Sequence, residues 1–405
     1  MNTVTNAVAP ARAPRPEIPD AASLTRRVVD LVPGLWDGAA EMDGRGRLDE
    51  ASHAGLAASG VLAMGLASAT GRPRITVSQM IDATTTLGRG YPSAAWIAGV
   101  YACGGATALL FDARDEFLDS AAPTSALVLG RPVAGVENVA DGIRVTGEWP
   151  YASGCLHAGW FCGLVLRPTA EGGKVPYLAL LPMNDLSVEP TWDVVGMSGT
   201  GSETVVARDV HVPEGRLLRY DPVLRGDAAA SWSVATPYAR SFTGLLMIGL
   251  LGAQIGAAQA ALSYVLDAAA HRPVAGSTLG TMEQSPPFRM LVARAASSID
   301  EAELVAQRLA AGIDGHADAG TNASDFERAR ARMDATRVGE LAREALDTLL
   351  TAYGTSAFRE GCPLQRLWRD VNVGSRHAGF GMGVPHLTYG TALAGQDPRS
   401  ISALV

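Results

Sequence analysis

Trp149-Pro150-Tyr151-Ala152-Ser153-Gly154-Cys155-Leu156-His157-Ala158-Gly159-Trp160 lies near the middle of a chain of 405 residues. It holds two Trp, one Tyr, a Ser-Gly pair and a His, and apolar segments of strand character flank it. Aromatic planes beside a small hydroxyl at a strand end suit a flat, hydrogen-bonding cofactor. The same residues suit an ordinary core with a turn in it, so the rest of the chain has to decide.

Outward from this stretch the periodicity changes. Gly142-Ile143-Arg144-Val145-Thr146-Gly147 alternates as a strand does, 160–166 is nearly all apolar, and 125–129, 175–181 and 204–212 read as further strands, the last stopped by Pro213. Gly130-Arg131-Pro132 and Ala134-Gly135 read as turns. This is a small β-barrel or sandwich. Before it the pattern is helical: 22–31 ended by Pro33-Gly34, then 49–69, then a helix capped by Thr76 or Ser78 and running to Gly88, then 94–110 and 112–118. After it come an apolar helix over 240–270, a second opened by Ser285-Pro286-Pro287, and a third opened by the capping box Ser324 to Glu327 and ended by Gly354. A last helix over 364–394 is broken around 379–385. The expectation is an α+β fold, mostly α: a disordered leader over 1–20, an N-terminal helical domain over 21–121, a middle β-barrel domain over 122–222 and a C-terminal four-helix bundle over 223–405.

Composition narrows the partners. The hydrophobic fraction is 47%, the charged fraction 18% and the net charge −8. So few charges point to surface buried against further copies of the chain, a homo-oligomer. No basic stripe is present, which disfavours nucleic acid. The four Cys form no CxxC, so disulfides and a thiolate zinc site are not expected, and a cytoplasmic location fits. The seven His and the carboxylates show no ligand spacing, so no metal is expected. The apolar stretch 242–262 carries Gln254 and Gln259 and reads as a buried bundle helix rather than a membrane span.

The α-β-α order and four local motifs resemble the acyl-CoA dehydrogenase fold over nearly the whole chain from about Ala21. Val128-Leu129-Gly130-Arg131-Pro132-Val133-Ala134-Gly135 stands where that superfamily has A-L-T-E-P-x-A-G, and Tyr151-Ala152-Ser153 where it has W-I-T. Asp209-Val210-His211-Val212-Pro213 is similar to its D-V-x-V-P strand, and Gln365-Arg366-Leu367-Trp368-Arg369-Asp370 to its E-R-x-x-R-D. The dehydrogenases need a carboxylate to take a proton beside the thioester carbonyl. Counting from Arg369-Asp370, that position is Ala378, and no Asp or Glu occurs from 228 to 266, where a second group carries its base. The Ser that helps hold the CoA phosphates is Val136 here.

These departures resemble a sister family, the two-component flavin-dependent monooxygenases of group D type. Its middle segment, roughly W-x-F-x-S-G-x-x-H-A-x-W, is matched from Trp149 to Trp160, and its G-x-x-G-T-G-S loop by Gly196-Met197-Ser198-Gly199-Thr200-Gly201-Ser202. Its R-D-x4-S-x-H-A helix end is matched by Arg369-Asp370 and Ser375-Arg376-His377-Ala378. The resemblance implies reduced flavin (FMNH2 or FADH2) delivered by a separate NAD(P)H-flavin reductase, addition of O2 at C4a, and a dry site that keeps the hydroperoxyflavin from losing peroxide. It implies hydroxylation of an aromatic or polyketide-type small molecule in secondary metabolism. N-hydroxylation of an amino sugar, an acyl-CoA dehydrogenase-like oxidoreductase and a catalytically silent scaffold are the alternatives.

On that resemblance His377 and Ser153 are the expected catalytic residues. His377 would bond or deprotonate a substrate hydroxyl or amine, or assist the peroxide, and Ser153 would bond the flavin N5 region. Tyr151 is expected to flank the flavin ring, with Gly154, Thr200, Ser202 and Arg240 as further cofactor contacts. Tyr101, Ser375 and His386 join His377 as substrate contacts, and Cys103-Gly104-Gly105 suggests extra room for a bulky substrate. His157 is expected to bond a loop backbone, and Arg369-Asp370 to form a structural pair at a subunit contact.

Overall fold

The computed structural model describes residues 18–70, 74–130, 133–227 and 237–405. Most of the expected leader (1–17) and the Arg131-Pro132 part of the expected turn lie outside the described residues. Helices α1 (Ala21–Arg45), α2 (Glu50–Ser59), α3 (Val77–Gly90), α4 (Pro92–Ala108) and α5 (Arg114–Leu118) come first. Strands β1 (Ser125–Val128), β2 (Val133–Val139), β3 (Gly142–Ala152), β4 (Trp160–Pro168), β5 (Lys174–Pro182), β6 (Ser187–Glu189), β7 (Glu203–Pro213) and β8 (Leu217–Arg219) follow. Helices α6 (Tyr220–Leu224), α7 (Phe242–Ile248), α8 (Leu251–Ala269), α9 (Pro286–Ala319), α10 (Asp325–Tyr353), α11 (Pro363–Gly374) and α12 (Val384–Leu393) complete the chain.

Five helix starts are set by side chains that accept orphan amides. Asp20, Asp49, Ser285 and Ser324 cap α1, α2, α9 and α10, and Thr76 forms a reciprocal capping box with Gln79 on α3. The amides of Val77 and Ser78 are also held from a distance, by the carboxylate of Asp314 on α9 at 2.9 and 3.1 Å. Ile18 is buried and Asp20 is a cap, so the fold begins inside the span expected as leader.

Three helical expectations are corrected. α1 runs through Pro33 and ends at left-handed Gly46, because Leu24, Val28, Leu35, Ala39 and Met42 form one buried face along its length. That burial outweighs the roughly 3 kcal/mol cost of an interior proline. The segment expected over 49–69 turns at left-handed Gly60 and continues as a 3-10 helix, Val61–Thr70. The helix expected over 240–270 divides into α7 and α8 at Gly249. There it meets α4 backbone to backbone: a Cβ on Gly99 would lie 1.7 Å from the Gly249 carbonyl oxygen. The stretch Tyr238–Ala269 is long and apolar enough to cross a membrane, yet most of it is buried against the rest of the bundle.

The β unit is two four-stranded sheets, ordered β1-β4-β5-β8 and β2-β3-β7-β6. β1 runs parallel to β4, and the other pairs are antiparallel. Ala134 and Gly135, expected in a turn, pair with Gly147 and Thr146 inside β2. The core between the sheets centres on Trp149 and Phe161, ring centroids 5.3 Å apart, and the Trp149 indole N–H donates to the Leu164 carbonyl at 2.9 Å.

Candidate active site

The site begins where β3 stops being regular. Trp149 pairs with Val205 on β7 and Ala152 with Glu203, so Pro150 and Tyr151 together face the single residue Thr204. Such a bulge re-aims side chains. Tyr151 takes a positive φ of 65°, which few non-glycine residues adopt, and its ring is 69% exposed, edge-on to Trp192. Trp149, two residues earlier, is fully buried.

The turn that follows is tied on both sides. The Gly154 amide donates to the Thr200 carbonyl at 2.8 Å, and the Gly154 carbonyl accepts from the Tyr101 hydroxyl at 2.6 Å. Position 154 has φ 78°, and a Cβ there would lie 2.8 Å from the Tyr101 ring, so glycine is required twice over. Ser153 then projects between two elements. Its Oγ accepts the Trp96 indole N–H of α4 at 3.1 Å and lies 2.7 Å from Ser202 Oγ. Ser202 Oγ is 2.7 Å from Thr200 Oγ1, which donates to the Met197 carbonyl at 2.7 Å.

The 196–202 loop is held from behind by α11. Met197, with φ 57°, gives its amide to Asp370 Oδ1 at 2.6 Å, and the Arg369 guanidinium donates to the Val195 carbonyl. Arg369 and Asp370 therefore clamp the loop; they do not pair with each other. The Tyr91 hydroxyl donates to Asp43 at 2.6 Å beside the same loop. Burial first, and then the Asp43 charge, push the fully buried Asp370 carboxyl up to about 7, while Arg366 and Arg369 oppose the shift.

His377 sits in the turn after α11. The Gly379 amide donates to its Nδ1 at 3.1 Å, which assigns the ring proton to Nε2. The ring stands edge-on to Trp96 and tilted to Phe380, with centroids 5.7 and 5.8 Å away. His377 is exposed to solvent on one side, while the protein packed around it partly desolvates the ring. This desolvation, with a smaller contribution from Arg332, lowers its pKa to about 4. Arg332 of α10 is 3% exposed and holds the turn by donating to the Gly379 carbonyl at 2.9 Å. Its other arm reaches Ser402 Oγ at 2.7 Å.

Ser153, Thr200, Ser202, Gly154, Tyr101 and His377 thus fall in one cluster, joined through Trp96. Several expected contacts are placed differently. The hydroxyls of Thr200 and Ser202 are buried: that of Ser202 meets Ser153, and that of Thr200 meets Ser202 and the Met197 carbonyl. The Tyr101 hydroxyl is committed to Gly154. Ser375 accepts from Arg343 at 3.2 Å. Arg240 donates to Asn322 at the α9–α10 turn. His386 is half exposed and lies 3.4 Å from Glu340. Among the described residues the His157 ring bonds no loop backbone: it stacks on His53 at 4.7 Å, with Nε2 buried and without a partner there.

Cys103-Gly104-Gly105 makes no extra room. A Cβ on Gly104 would lie 2.1 Å from the Ser125 carbonyl, and one on Gly105 2.9 Å from Leu66, so these glycines let α4 touch its neighbours. Trp96, Asp370 as a loop clamp and Arg332 were not singled out from sequence. Trp96 carried a signal, as a large aromatic side chain in a helix otherwise made mostly of small residues. Arg332 carried none.

Known proteins share this arrangement of elements. Residues 248–381 match the family model described as acyl-CoA dehydrogenase, C-terminal domain. The chain is 28% identical to the oxygenase component of the FADH(2)-dependent resorcinol hydroxylase of a Rhizobium species, over 80% of this chain and 82% of that one. It is 30% identical to the oxygenase subunit HsaA of a flavin-dependent monooxygenase of Rhodococcus jostii, over 64% of this chain and 68% of that one. The structure of XiaF from a Streptomyces species, in complex with FADH2 and glycerol, superposes with a TM-score of 0.87 at 33% identity, covering 93% of this chain and 96% of that one.

Proposed function

Because the chain belongs to the flavin-dependent monooxygenases built on the acyl-CoA dehydrogenase fold, we propose that the Ser153–Trp96–His377 cluster binds reduced flavin beside an aromatic small molecule and directs its hydroxylation. The protein is the oxygenase component of a two-component system, supplied with reduced flavin by a separate reductase. FADH2 is the flavin we favour, since it is the form named for the resorcinol hydroxylase and for XiaF. The residues suit such a group: an outward aromatic face at Tyr151, one half-buried hydroxyl at Ser153 and the Trp96 and Phe380 rings beside His377 offer contacts to a flat ring with a polar edge.

When bound, reduced flavin supplies the two electrons that activate O2 for insertion of one oxygen atom into the substrate. The chain does the rest. Ser153 would meet the N5 edge of the flavin, and Tyr151 would lie against its ring. Trp96, Phe380 and Met247 keep water from the reacting atoms; Met247 is 4% exposed and would meet a Cβ on Gly379. His377, neutral and with its proton on Nε2, donates a hydrogen bond to a phenolic oxygen of the substrate. With its Nδ1 occupied and its pKa near 4, it is a donor and positioner rather than a general base.

The observation that carries this reading is the junction of Ser153 and His377 through one Trp96 side chain, whose indole N–H meets the first and whose ring packs against the second. Desaturation of an acyl thioester has no base here, since Ala378 stands at the carboxylate position. We further propose a homotetramer, on the exposed apolar side chains of α9 and α12, and a cytoplasmic location, on four free and buried cysteines. The test mixes the protein with dithionite-reduced FAD, O2 and a panel of phenols, and counts hydroxylated product and hydrogen peroxide per flavin. Product in excess of the protein-free control is expected. Peroxide alone across the panel, or bleaching of bound oxidised FAD by an acyl-CoA, would sink the assignment.

A further inference from the structure

We propose that the buried hydroxyls of Thr200 and Ser202 fix Ser153 as a hydrogen-bond acceptor, so that the site selects reduced over oxidised flavin. The inference rests on the placement of Ser153 at the flavin N5 edge, and it concerns the order of protons behind that residue.

The order follows from one group that can only accept. The Met197 carbonyl lies 2.7 Å from Thr200 Oγ1, so the Thr200 proton is committed there. The Thr200–Ser202 contact, also 2.7 Å, then needs its proton from Ser202. The Ser202–Ser153 contact, again 2.7 Å, must take its proton from Ser153. On its other side Ser153 meets a group that can only donate, the Trp96 indole N–H at 3.1 Å. Ser153 has then given away its proton and filled one lone pair, and keeps one lone pair for a ligand. The reverse order would set lone pair against lone pair at 2.7 Å. Thr200 and Ser202 are 2% and 4% exposed, so no bulk water can relieve that conflict.

The loop is built to keep this chain in place. Asp370 holds the Met197 amide, and the Met197 carbonyl also accepts the Thr200 amide and the Trp192 indole N–H, each at 3.1 Å. Reduced flavin carries an N–H at N5, whereas oxidised flavin presents a bare nitrogen lone pair there. An acceptor-only Ser153 pairs with the first and opposes the second.

The experiment is anaerobic titration of oxidised FAD and of dithionite-reduced FAD into the wild type, Ser202→Ala, Thr200→Val, Thr200→Ser and Ser153→Ala, with binding followed by equilibrium dialysis. Wild type should prefer the reduced form. Ser202→Ala leaves the Ser153 proton free to turn toward N5, and should narrow that preference by roughly tenfold through tighter binding of oxidised FAD. Thr200→Val should narrow it in the same direction, and Thr200→Ser should keep it. An unchanged preference in both Ser202→Ala and Thr200→Val, with Ser153→Ala still weakening reduced FAD, overturns the inference and leaves the placement of Ser153 standing. No effect of Ser153→Ala on either form, or no binding of either form by the wild type, removes that placement and the inference with it.

Discussion

At His377 a neighbouring amide decides the chemistry. The Gly379 N–H occupies Nδ1, so Nε2 carries the ring proton, and desolvation with the Arg332 charge lowers the pKa to about 4. A group whose folded pKa is depressed below its ordinary 6.5 stays neutral through the physiological range; its contribution to stability is full above about 6.5, declines as pH falls below that value and is gone below about 4. The ring should titrate near 4 by NMR, and coupled hydroxylation should show no inflection between pH 5 and 8 that disappears in His377→Ala. His377→Ala itself should cut product per flavin by roughly tenfold or more in favour of peroxide. Asp370 has the opposite sign. Its folded carboxyl is raised to about 7 against an ordinary 3.8, so between those values the folded chain holds a proton the unfolded chain lacks, and stability falls as pH rises. Asp370→Asn keeps an acceptor for the Met197 amide and carries no charge. It should be the more stable protein at pH 8, by on the order of 1 kcal/mol, with the difference gone at pH 4, measured as urea midpoints. Ser153, Tyr151 and His377 stand in local motifs and are candidates readable from neighbours a few positions away. Trp96 and Arg332 act on them from α4 and α10, and no short pattern encodes a contact across such distances in the chain.

Elements were legible where their ends are chemical and illegible where their course is set by a partner. Thr76, Ser285 and Ser324 announce helix starts because an orphan amide needs an acceptor three residues back. Pro33 gave a false stop, because a buried face along α1 outweighs one lost hydrogen bond. The break between α7 and α8 has no local cause and comes from Gly249 lying on Gly99. Gly99→Ala would place a methyl 1.7 Å from the Gly249 carbonyl oxygen, so backbone must move; the expected loss is roughly 3 kcal/mol, read from urea unfolding. A loss under about 1 kcal/mol would show that the two helices are not pinned there. Asp314 caps α3 from α9, and through it a late helix of the chain holds the start of an early one. Asp314→Ala should cost about 1–2 kcal/mol, and Asp314→Asn less, since an amide oxygen still accepts. Equal losses in the two variants would assign the effect to the ion pair with Arg74 at 3.6 Å instead of the cap.

For the whole molecule the question is what covers its apolar exterior. Met290 and Leu304 on α9 are 74% and 71% exposed, and Leu387 and Leu393 on α12 are 57% and 62% exposed. Beside α9, a groove of about 430 Å³ is lined by Leu266, Phe288 and Val292. The low charged content, 18%, had already suggested such surfaces before any side chain was placed. Large side chains at these exposures cost little singly, but aligned along one long helix they are the composition of an interface. A helix of 34 residues spans about 51 Å and can supply a stable contact without rearrangement. The wild type should sediment at four times the 42.0 kDa chain mass. Met290→Asp with Leu304→Asp should yield a smaller species of unchanged helical circular dichroism, because neither side chain supports the protomer's own core. If the doubly charged protein still sediments with the wild type, α9 is not the contact. If the wild type runs as a single chain at micromolar concentration, the tetramer itself is wrong and the exposed face of α9 belongs to another partner.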